Sequence, residues 1–174
     1  MQVFSGRRFD VTVEDVKLPN GHTMHMEKAH CPEVCHVVPI IGREVILLRQ
    51  FRPIVKKWLY EIPAGLIDEG ETSAEAAKRE LEEETGFKAG KLIHLTTVFT
   101  SPGFTDELAH VFVAIDLKAG KQNLEPSENL RFFKLPIKKA LKLIVSGRMN
   151  NSVGALALLL ADKKLGLSKM PRRK

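Results

Sequence analysis

The sequence of 174 residues predicts a mixed α/β (α+β) fold, in which helices cover the faces of a mixed sheet. Strand-like and helix-like segments follow one another without the strict strand–helix–strand alternation of a parallel sheet. The apolar content of 44% and the charged content of 28% are typical of a soluble globular protein, and the length suits one domain with a small appendage. We therefore divide the chain into an N-terminal β subdomain at residues 1–33, a main domain at 34–168 and a basic tail at 169–174.

The first 30 residues predict a small antiparallel sheet. Residues 3–13 and 22–30 alternate loosely between apolar and polar side chains, and Pro19, Asn20 and Gly21 between them favour a tight turn. A sheet of this size with few large apolar side chains is only marginally stable alone. We therefore expect it to pack on another surface.

Apolar runs predict the strands of the main domain, at 34–41, 45–51, about 58–62, 91–99, 108–116 and about 130–135. Gly42 lies in the short segment between the first two runs, which predicts a hairpin. Residues 63–65 and 118–129 are predicted to be loops. Pro136 is expected to begin a helix that runs to about residue 146, and Asn150 or Asn151 to cap a last helix at about 151–165.

The central helix is predicted at about residues 73–85. Thr72 or Ser73 can cap its N-terminus, and Gly86 stands where a left-handed residue commonly ends a helix. A narrow apolar stripe formed by Ala74, Ala77 and Leu81 suits packing against a sheet.

The other face of this helix carries a cluster of carboxylates. Glu80, Glu83 and Glu84 are spaced by three and four residues, so they project from one face and repel one another by a few tenths of a kcal/mol per pair. A solvated surface helix is the alternative, but such helices tend to interleave lysine with glutamate, and Lys78 is the only lysine here. The pattern therefore predicts a site for a divalent cation.

The spacing of fixed residues around this helix resembles the Nudix box. Gly65, Glu71, the Arg79–Leu81 triplet, the Glu83–Glu84 pair and Gly86 stand at each fixed position of that motif over 23 residues. Residues 49–65 resemble the segment that precedes the box in ADP-ribose and nucleotide-sugar pyrophosphatases. Pro102, sixteen positions after Gly86, is similar to the proline that marks ADP-ribose pyrophosphatases. The resemblance covers about residues 3–165 and implies an α/β/α sandwich.

The resemblance also implies a metal centre. Glu80 and Glu84 would be the principal Mg²⁺ ligands, with Glu83 joining directly or through water and the Ala64 carbonyl completing the coordination. Mn²⁺ is expected to substitute for Mg²⁺. Arg79 would orient the glutamates through bidentate hydrogen bonds.

The implied substrate site draws on residues outside the box. Arg52 would contact the diphosphate or the terminal sugar, Glu61 would help to position metal or substrate, and Pro102 and Gly103 belong to the expected binding loop. An aromatic platform for adenine is expected from the candidates Phe9 and Phe104, but a phenylalanine taken alone is more often an ordinary core or surface residue.

A carboxylate on a loop after the box is the expected general base. Glu128 is the candidate and Glu125 the alternative, and a loop carboxylate without a catalytic role is the third possibility.

Together these residues predict Mg²⁺-dependent hydrolysis of ADP-ribose to AMP and ribose 5-phosphate. A broader nucleoside diphosphate sugar pyrophosphatase, acting on substrates such as GDP-mannose or ADP-glucose, is the nearest alternative. A non-catalytic nucleotide-binding module is the alternative from another class. The resemblance implies a homodimer formed through the N-terminal strands, with Trp58 at that interface or in the core.

The net charge of +6 is concentrated at the C-terminus. Residues 162–174 carry six basic side chains and one aspartate, and no aromatic residue is interleaved for stacking on bases. We expect a solvated tail and no nucleic-acid partner.

The sequence also favours a cytoplasmic location. The apolar run at 155–161 is well short of the ~20 residues that cross a bilayer, and no signal peptide is evident. Cys31 and Cys35 are flanked by His30 and His36, but Pro32 favours an extended segment, which separates the thiols. Reduced thiols are therefore expected rather than a disulfide or a zinc site.

Overall fold

A computed structural model of the protein describes residues 1–169. Within these residues the chain forms twelve strands, three α-helices and a short 3₁₀ helix at Leu167–Lys169. The helices are α1 (Ser73–Thr85), α2 (Ile137–Val145) and α3 (Ser152–Leu165). The strands are β1 (Gln2–Ser5), β2 (Asp10–Lys17), β3 (Thr23–His30), β4 (Val34–Ile41), β5 (Glu44–Arg52), β6 (Lys57–Glu61), β7 (Ala64–Leu66), β8 (Phe87–Lys88), β9 (Lys91–Phe99), β10 (Leu108–Ile115), β11 (Lys118–Ala119) and β12 (Leu130–Pro136).

The main sheet is mixed, as the sequence predicted. In the described chain its strand order is β12–β5–β4–β10–β9, with β6 also paired to β5 and β7 to β4. Strands β4 and β10 run parallel, and the other pairs are antiparallel. The parallel pair requires a long connection between its strands, and α1 lies within that connection.

Helices cover both faces of this sheet. Alternating residues of β4 point to opposite sides, so Cys35 and Val37 pack against α1, whereas Val38 and Ile40 pack against the cluster that includes α2 and α3. The larger cluster buries residues of both C-terminal helices, among them Ala140 and Leu158. The predicted α/β/α sandwich is therefore confirmed.

The first three strands form a separate antiparallel sheet. Its β2–β3 hairpin turns at Gly21, which has a φ of 87°. The sheet leaves several apolar side chains exposed, among them Val3, Phe4 and Met24. It touches the rest of the chain where Ala29 of β3 forms a parallel bridge with Thr105.

The ends of α1 follow the predicted caps. Thr72 caps the helix, its side chain accepts a hydrogen bond from the Glu75 N–H, and the Glu75 carboxylate bonds back to the Thr72 N–H. Gly86 ends the helix in the left-handed region, with a φ of 72°. No helix in residues 1–169 is both long and apolar enough to span a membrane.

Two predicted loops contain strands. Residues 64–66 form β7 because their backbone pairs with Val34, Cys35 and His36 of β4, and residues 118–119 pair with β8. Such short strands depend on a partner far along the chain, so their own sequence carries little signal. The side chain of Trp58 packs against Phe51 but is 41% exposed, which excludes the core position considered for it.

Candidate active site

The predicted acidic face of α1 lies directly against β7. A Cβ built on Gly65 would stand only 1.9 Å from Oε1 of Glu80, so the carboxylate occupies the space that any larger residue at position 65 would fill. Glycine at this position therefore lets the backbone and the carboxylate approach each other. Glu80 is 8% exposed, and burial raises the pKa of its carboxyl, with Arg79 opposing the shift.

Arg79 holds the acidic side chains in place. Its Nε and Nη2 donate to the two carboxylate oxygens of Glu71, at 3.0 and 2.9 Å. Its Nη1 donates to Glu80 at 2.6 Å and to Glu83 at 3.3 Å, while Nη2 also donates to the Leu66 carbonyl at 2.9 Å. The bidentate bond to Glu71 raises the pKa of the Arg79 guanidinium. One guanidinium therefore contacts the carboxylates of Glu71, Glu80 and Glu83.

Glu84 is more deeply buried than Glu80. It is 2% exposed, and its Oε2 accepts a hydrogen bond from the Ala64 backbone N–H at 2.9 Å. Burial raises the pKa of the Glu84 carboxyl well above its ordinary value, and the charges of Glu80 and Glu128 raise it further. When carboxylates are buried near one another, either their protonation or the binding of a cation beside them is favoured.

The carboxylate oxygens of Glu80 and Glu84 are suitable ligands for a hard cation. Magnesium prefers oxygen ligands and retains bound water, and Glu80 and Glu84 supply carboxylate oxygens in a buried, mutually repulsive arrangement. In residues 1–169, no three acidic, histidine or cysteine side chains converge as a metal site. Hydrogen bonds from Arg79 and from the Ala64 N–H engage the carboxylates instead. The donor types, carboxylate oxygens, therefore fit a divalent cation.

Arg52 and Glu61 form an ion pair on the same side of the sheet as α1. The Arg52 Nε donates to Glu61 Oε1 at 2.9 Å, and Nη2 donates to Oε2. Glu61 is 2% exposed, whereas the Arg52 side chain is 42% exposed. The hydrogen bond to Glu61 raises the pKa of Arg52, so the guanidinium stays charged while part of it faces solvent. The Arg52–Glu61 pair is neutral as a whole, but it holds the partly exposed guanidinium near the charge of Glu84.

Glu128 lies close enough to this cluster to act on it electrostatically. Its charge contributes to raising the pKa of Glu80, Glu84 and Arg52. Its carboxylate accepts a hydrogen bond from the Glu125 backbone N–H at 2.8 Å, which closes a turn before β12. The side chain of Glu125 is exposed and accepts a hydrogen bond from Ser127. Glu128 therefore lies on a turn before β12, and its carboxylate bonds to the backbone of that turn.

The predicted binding loop is anchored to the N-terminal sheet. Pro102, Gly103 and Phe104 are exposed, with the Phe104 side chain at 60%. The Phe104 carbonyl accepts a hydrogen bond from the Ala29 N–H of β3 at 2.8 Å. The ring of Phe9, the other aromatic candidate, is 44% exposed and lies 5.8 Å from the ring of Phe4.

Comparison with known proteins identifies the fold family. The NUDIX domain model matches residues 32–149. The chain belongs to the NUDIX domain family. An ADP-ribose pyrophosphatase of Bacillus subtilis is 39% identical over 160 residues, which cover 90% of this chain and 86% of the relative. A methanol dehydrogenase activator of Bacillus methanolicus is 36% identical with the same coverage.

A solved structure supports the same assignment. The crystal structure of an ADP compounds hydrolase superposes with a TM-score of 0.85 at 29% identity, covering 95% of this chain and 91% of the other. The family and the named relatives indicate that this protein is a Nudix hydrolase enzyme.

The sequence analysis missed Asp106, which ties the loop after β9 to the end of β3. Asp106 accepts hydrogen bonds from His30 Nδ1 at 2.9 Å and from the Cys31 N–H at 3.1 Å, and it pairs with Lys28 Nζ at 2.9 Å. The hydrogen bond from Lys28 is the largest cause of a lowered pKa of Asp106. The only sign of this role in the sequence is that Asp106 lies close after the predicted binding loop. Its partners lie about 75 residues earlier in the chain, so the contacts themselves could not be predicted.

The side chains of the cysteine–histidine segment lie in different surroundings. Both thiols are free, and burial raises the pKa of the Cys35 thiol to about 12. Burial lowers the pKa of His36 to about 4, so its ring is neutral at physiological pH. His30 bonds to Asp106 and Thr12.

Proposed function

We propose that this Nudix hydrolase cleaves the diphosphate of ADP-ribose with water to give AMP and ribose 5-phosphate. The observation that carries the proposal is the pair of buried carboxylates, Glu80 and Glu84, held against β7 where only glycine fits at position 65. The Bacillus subtilis relative named ADP-ribose pyrophosphatase supports the choice of substrate.

Mg²⁺ is the proposed cofactor, and Mn²⁺ is expected to replace it. Glu80 and Glu84 would hold the cation, with Glu83 contributing directly or through water and the Ala64 carbonyl as a further oxygen ligand. A bound divalent cation would neutralise diphosphate oxygens and make a nearby water molecule more acidic. Arg79 would fix the orientation of the glutamates, as its hydrogen bonds to Glu80 and Glu83 suggest.

Glu128 is the proposed general base. It would accept a proton from the attacking water as the new P–O bond forms and the anhydride P–O bond breaks. Arg52, held by Glu61, would contact the negative oxygens of the diphosphate, because its partly exposed guanidinium can donate further hydrogen bonds. The loop Pro102–Phe104 and Phe9 would contact the adenosine part.

A substrate panel tests the proposal. ADP-ribose, ADP-glucose, GDP-mannose, a dinucleoside polyphosphate and ATP are compared at equal concentration with Mg²⁺ in H₂¹⁸O, and the products are identified by mass spectrometry. We expect the highest kcat/KM for ADP-ribose, and the position of ¹⁸O identifies the attacked phosphorus. A higher kcat/KM for a nucleotide sugar would favour the broader pyrophosphatase, and no turnover of any compound would favour a binding module.

Glu84→Gln provides the matched test of the metal assignment. The substitution keeps the size of the side chain but removes the charge, so we expect turnover with Mg²⁺ to fall by at least about 100-fold. Turnover near that of the wild type would contradict the assignment of Glu84 as a ligand. Circular dichroism of the variant checks that the fold is retained.

We also propose a homodimer in the cytoplasm. The exposed apolar side chains of the N-terminal sheet, Val3, Phe4, Phe9 and Met24, offer a surface that a second copy could cover. The two free thiols suit a reducing compartment. Analytical ultracentrifugation of the full chain and of a Phe4→Ser variant tests the dimer, which the variant is expected to weaken.

A further inference from the structure

A cavity lies on the face of the main sheet opposite α1. Tyr60 of β6, Phe133 and Leu135 of β12 and Leu143 of α2 form its apolar walls, and its volume is about 460 Å³. The rings of Tyr60 and Phe133 pack edge to face with centroids 5.9 Å apart. Pockets for small organic ligands span about 300–1,000 Å³ and are mostly apolar with a few polar groups. The cavity therefore has the size and the walls of a small-molecule site.

The polar groups around this cavity are almost all cationic. Lys139 and Lys142 of α2 and Arg148 line it, and the Arg148 Nη2 donates a hydrogen bond to the Tyr60 hydroxyl at 3.0 Å. The guanidinium of Arg49 lies 4.3 Å from the centroid of the Tyr60 ring. None of the residues that line the cavity is acidic.

These cations also have no acidic partners nearby. Among residues 1–169, none of the side chains of Arg49, Lys139, Lys142 and Arg148 forms a salt bridge with a carboxylate. Like charges that gather around one concave surface repel one another, and an anion placed between them relieves this repulsion. The surface is therefore complementary to a dianion that carries an apolar or aromatic body.

The cavity is separate from the candidate active site. Successive side chains of a strand point to opposite faces, so Tyr60 faces the cavity while Glu61, the next residue, faces Arg52 beside α1. A ligand in the cavity would therefore contact β6 on the face of the sheet opposite to Glu61.

We propose that this cavity is a second binding site, which takes a nucleoside monophosphate or a similar aromatic organic phosphate. The phosphate would lie against Lys139, Lys142 and Arg148, and the planar ring would pack against Tyr60 and Phe133. Arginine and lysine bind phosphate through charge-assisted hydrogen bonds, and aromatic rings stack on planar bases. The site extends beyond the proposed hydrolysis, because none of the residues named for that reaction lines it.

The single tyrosine of the chain makes the test specific. The full-length protein is labelled with ¹³C in the tyrosine ring, so its one ring signal reports on Tyr60. AMP, adenosine and inorganic phosphate are titrated separately in EDTA, without any turnover, and the result is therefore independent of the proposed activity. We expect AMP to shift the Tyr60 resonance saturably and to bind at least tenfold more tightly than adenosine or phosphate.

Lysine variants test whether AMP binds in this cavity or elsewhere on the protein. Lys139→Ala combined with Lys142→Ala is expected to weaken AMP binding at least tenfold, measured by the same titration. Lys138→Ala is the matched control, because Lys138 is an exposed lysine of the same helix that does not line the cavity. It is expected to bind AMP as the wild type does.

Each of the following results would overturn the proposal. The first is a Tyr60 signal that does not respond to AMP at millimolar concentration. The second is an equal response to AMP and adenosine, or equal affinity in the double variant and the Lys138→Ala control. The third is a Tyr60 signal that changes with protein concentration and no longer responds to AMP in the concentrated protein, which would mean that another copy of the chain covers the cavity.

Discussion

Gly65→Ala is a sharp test of the geometry at the acidic helix. The added methyl would stand 1.9 Å from Oε1 and 2.1 Å from Cδ of Glu80, whereas Cβ atoms essentially never approach other heavy atoms closer than 3.0 Å. The atoms that must move are the end of one side chain and not the backbone, so the substitution should change the position of the carboxylate more than the fold. The variant therefore displaces one candidate ligand by at least about 1 Å while leaving its charge in place.

Displacement of the Glu80 carboxylate by about 1 Å has a predictable effect on the reaction rate. Misplacing a reacting group by about 1 Å commonly lowers the rate about 100-fold, which corresponds to about 2.7 kcal/mol of lost transition-state stabilisation. We therefore expect kcat/KM for ADP-ribose with Mg²⁺ to fall about 100-fold. Mn²⁺ affinity, measured by electron paramagnetic resonance, is expected to fall in parallel.

Lys78→Ala is the control for this experiment, because Lys78 lies on the same helix with an exposed side chain. It should leave activity and Mn²⁺ affinity unchanged, and thermal melts should show that both variants fold. If Gly65→Ala keeps kcat/KM and Mn²⁺ affinity within about threefold of the wild type while it folds normally, the close approach of Glu80 to β7 has no role in catalysis.

Three further predictions concern the loops and the thiols. Glu128→Gln is expected to lower kcat at saturating ADP-ribose by about 10²- to 10⁴-fold, as is usual when a general base is lost. Asp106→Asn is expected to raise KM roughly three- to tenfold with a smaller change in kcat, because it removes about 1 kcal/mol of contacts that anchor the binding loop. Asp15→Asn, which breaks a similar but exposed contact to a histidine, is the matched control in the same kinetic assay. At pH 8, iodoacetamide is expected to label Cys31 before Cys35 in mass spectrometry, because a pKa of about 12 leaves only about one Cys35 thiol in 10⁴ ionised.

Each of these predictions has its own contradicting result. If kcat of the Glu128→Gln enzyme stays within about threefold of the wild type, another residue is the general base. Glu125→Gln is then the next variant to measure. Equal KM values for Asp106→Asn and the wild type would mean that the loop holds its position without the carboxylate. Rapid labelling of Cys35 would show that β4 opens to solvent.

Local sequence was sufficient for the elements that depend on nearby residues. The helix at about 73–85 was predictable, because Thr72 and Gly86 satisfy its ends through contacts within one turn. The long strands were predictable from their apolar runs. The acidic face was predictable because residues three and four apart on a helix are neighbours in any fold.

The tertiary structure alone decided what surrounds that face. The amino-acid sequence determined a capped helix with Glu80 and Glu84 on one side, and this pattern already resembles a known motif. Only the folded chain placed Gly65 against Glu80, paired Asp106 with Lys28 and collected cations around Tyr60. The physical reason is the distance along the chain between the residues that interact. Helix caps and helix faces depend on residues a few positions apart. Strand pairs and buried charge contacts join distant segments, which come together only when the whole chain packs.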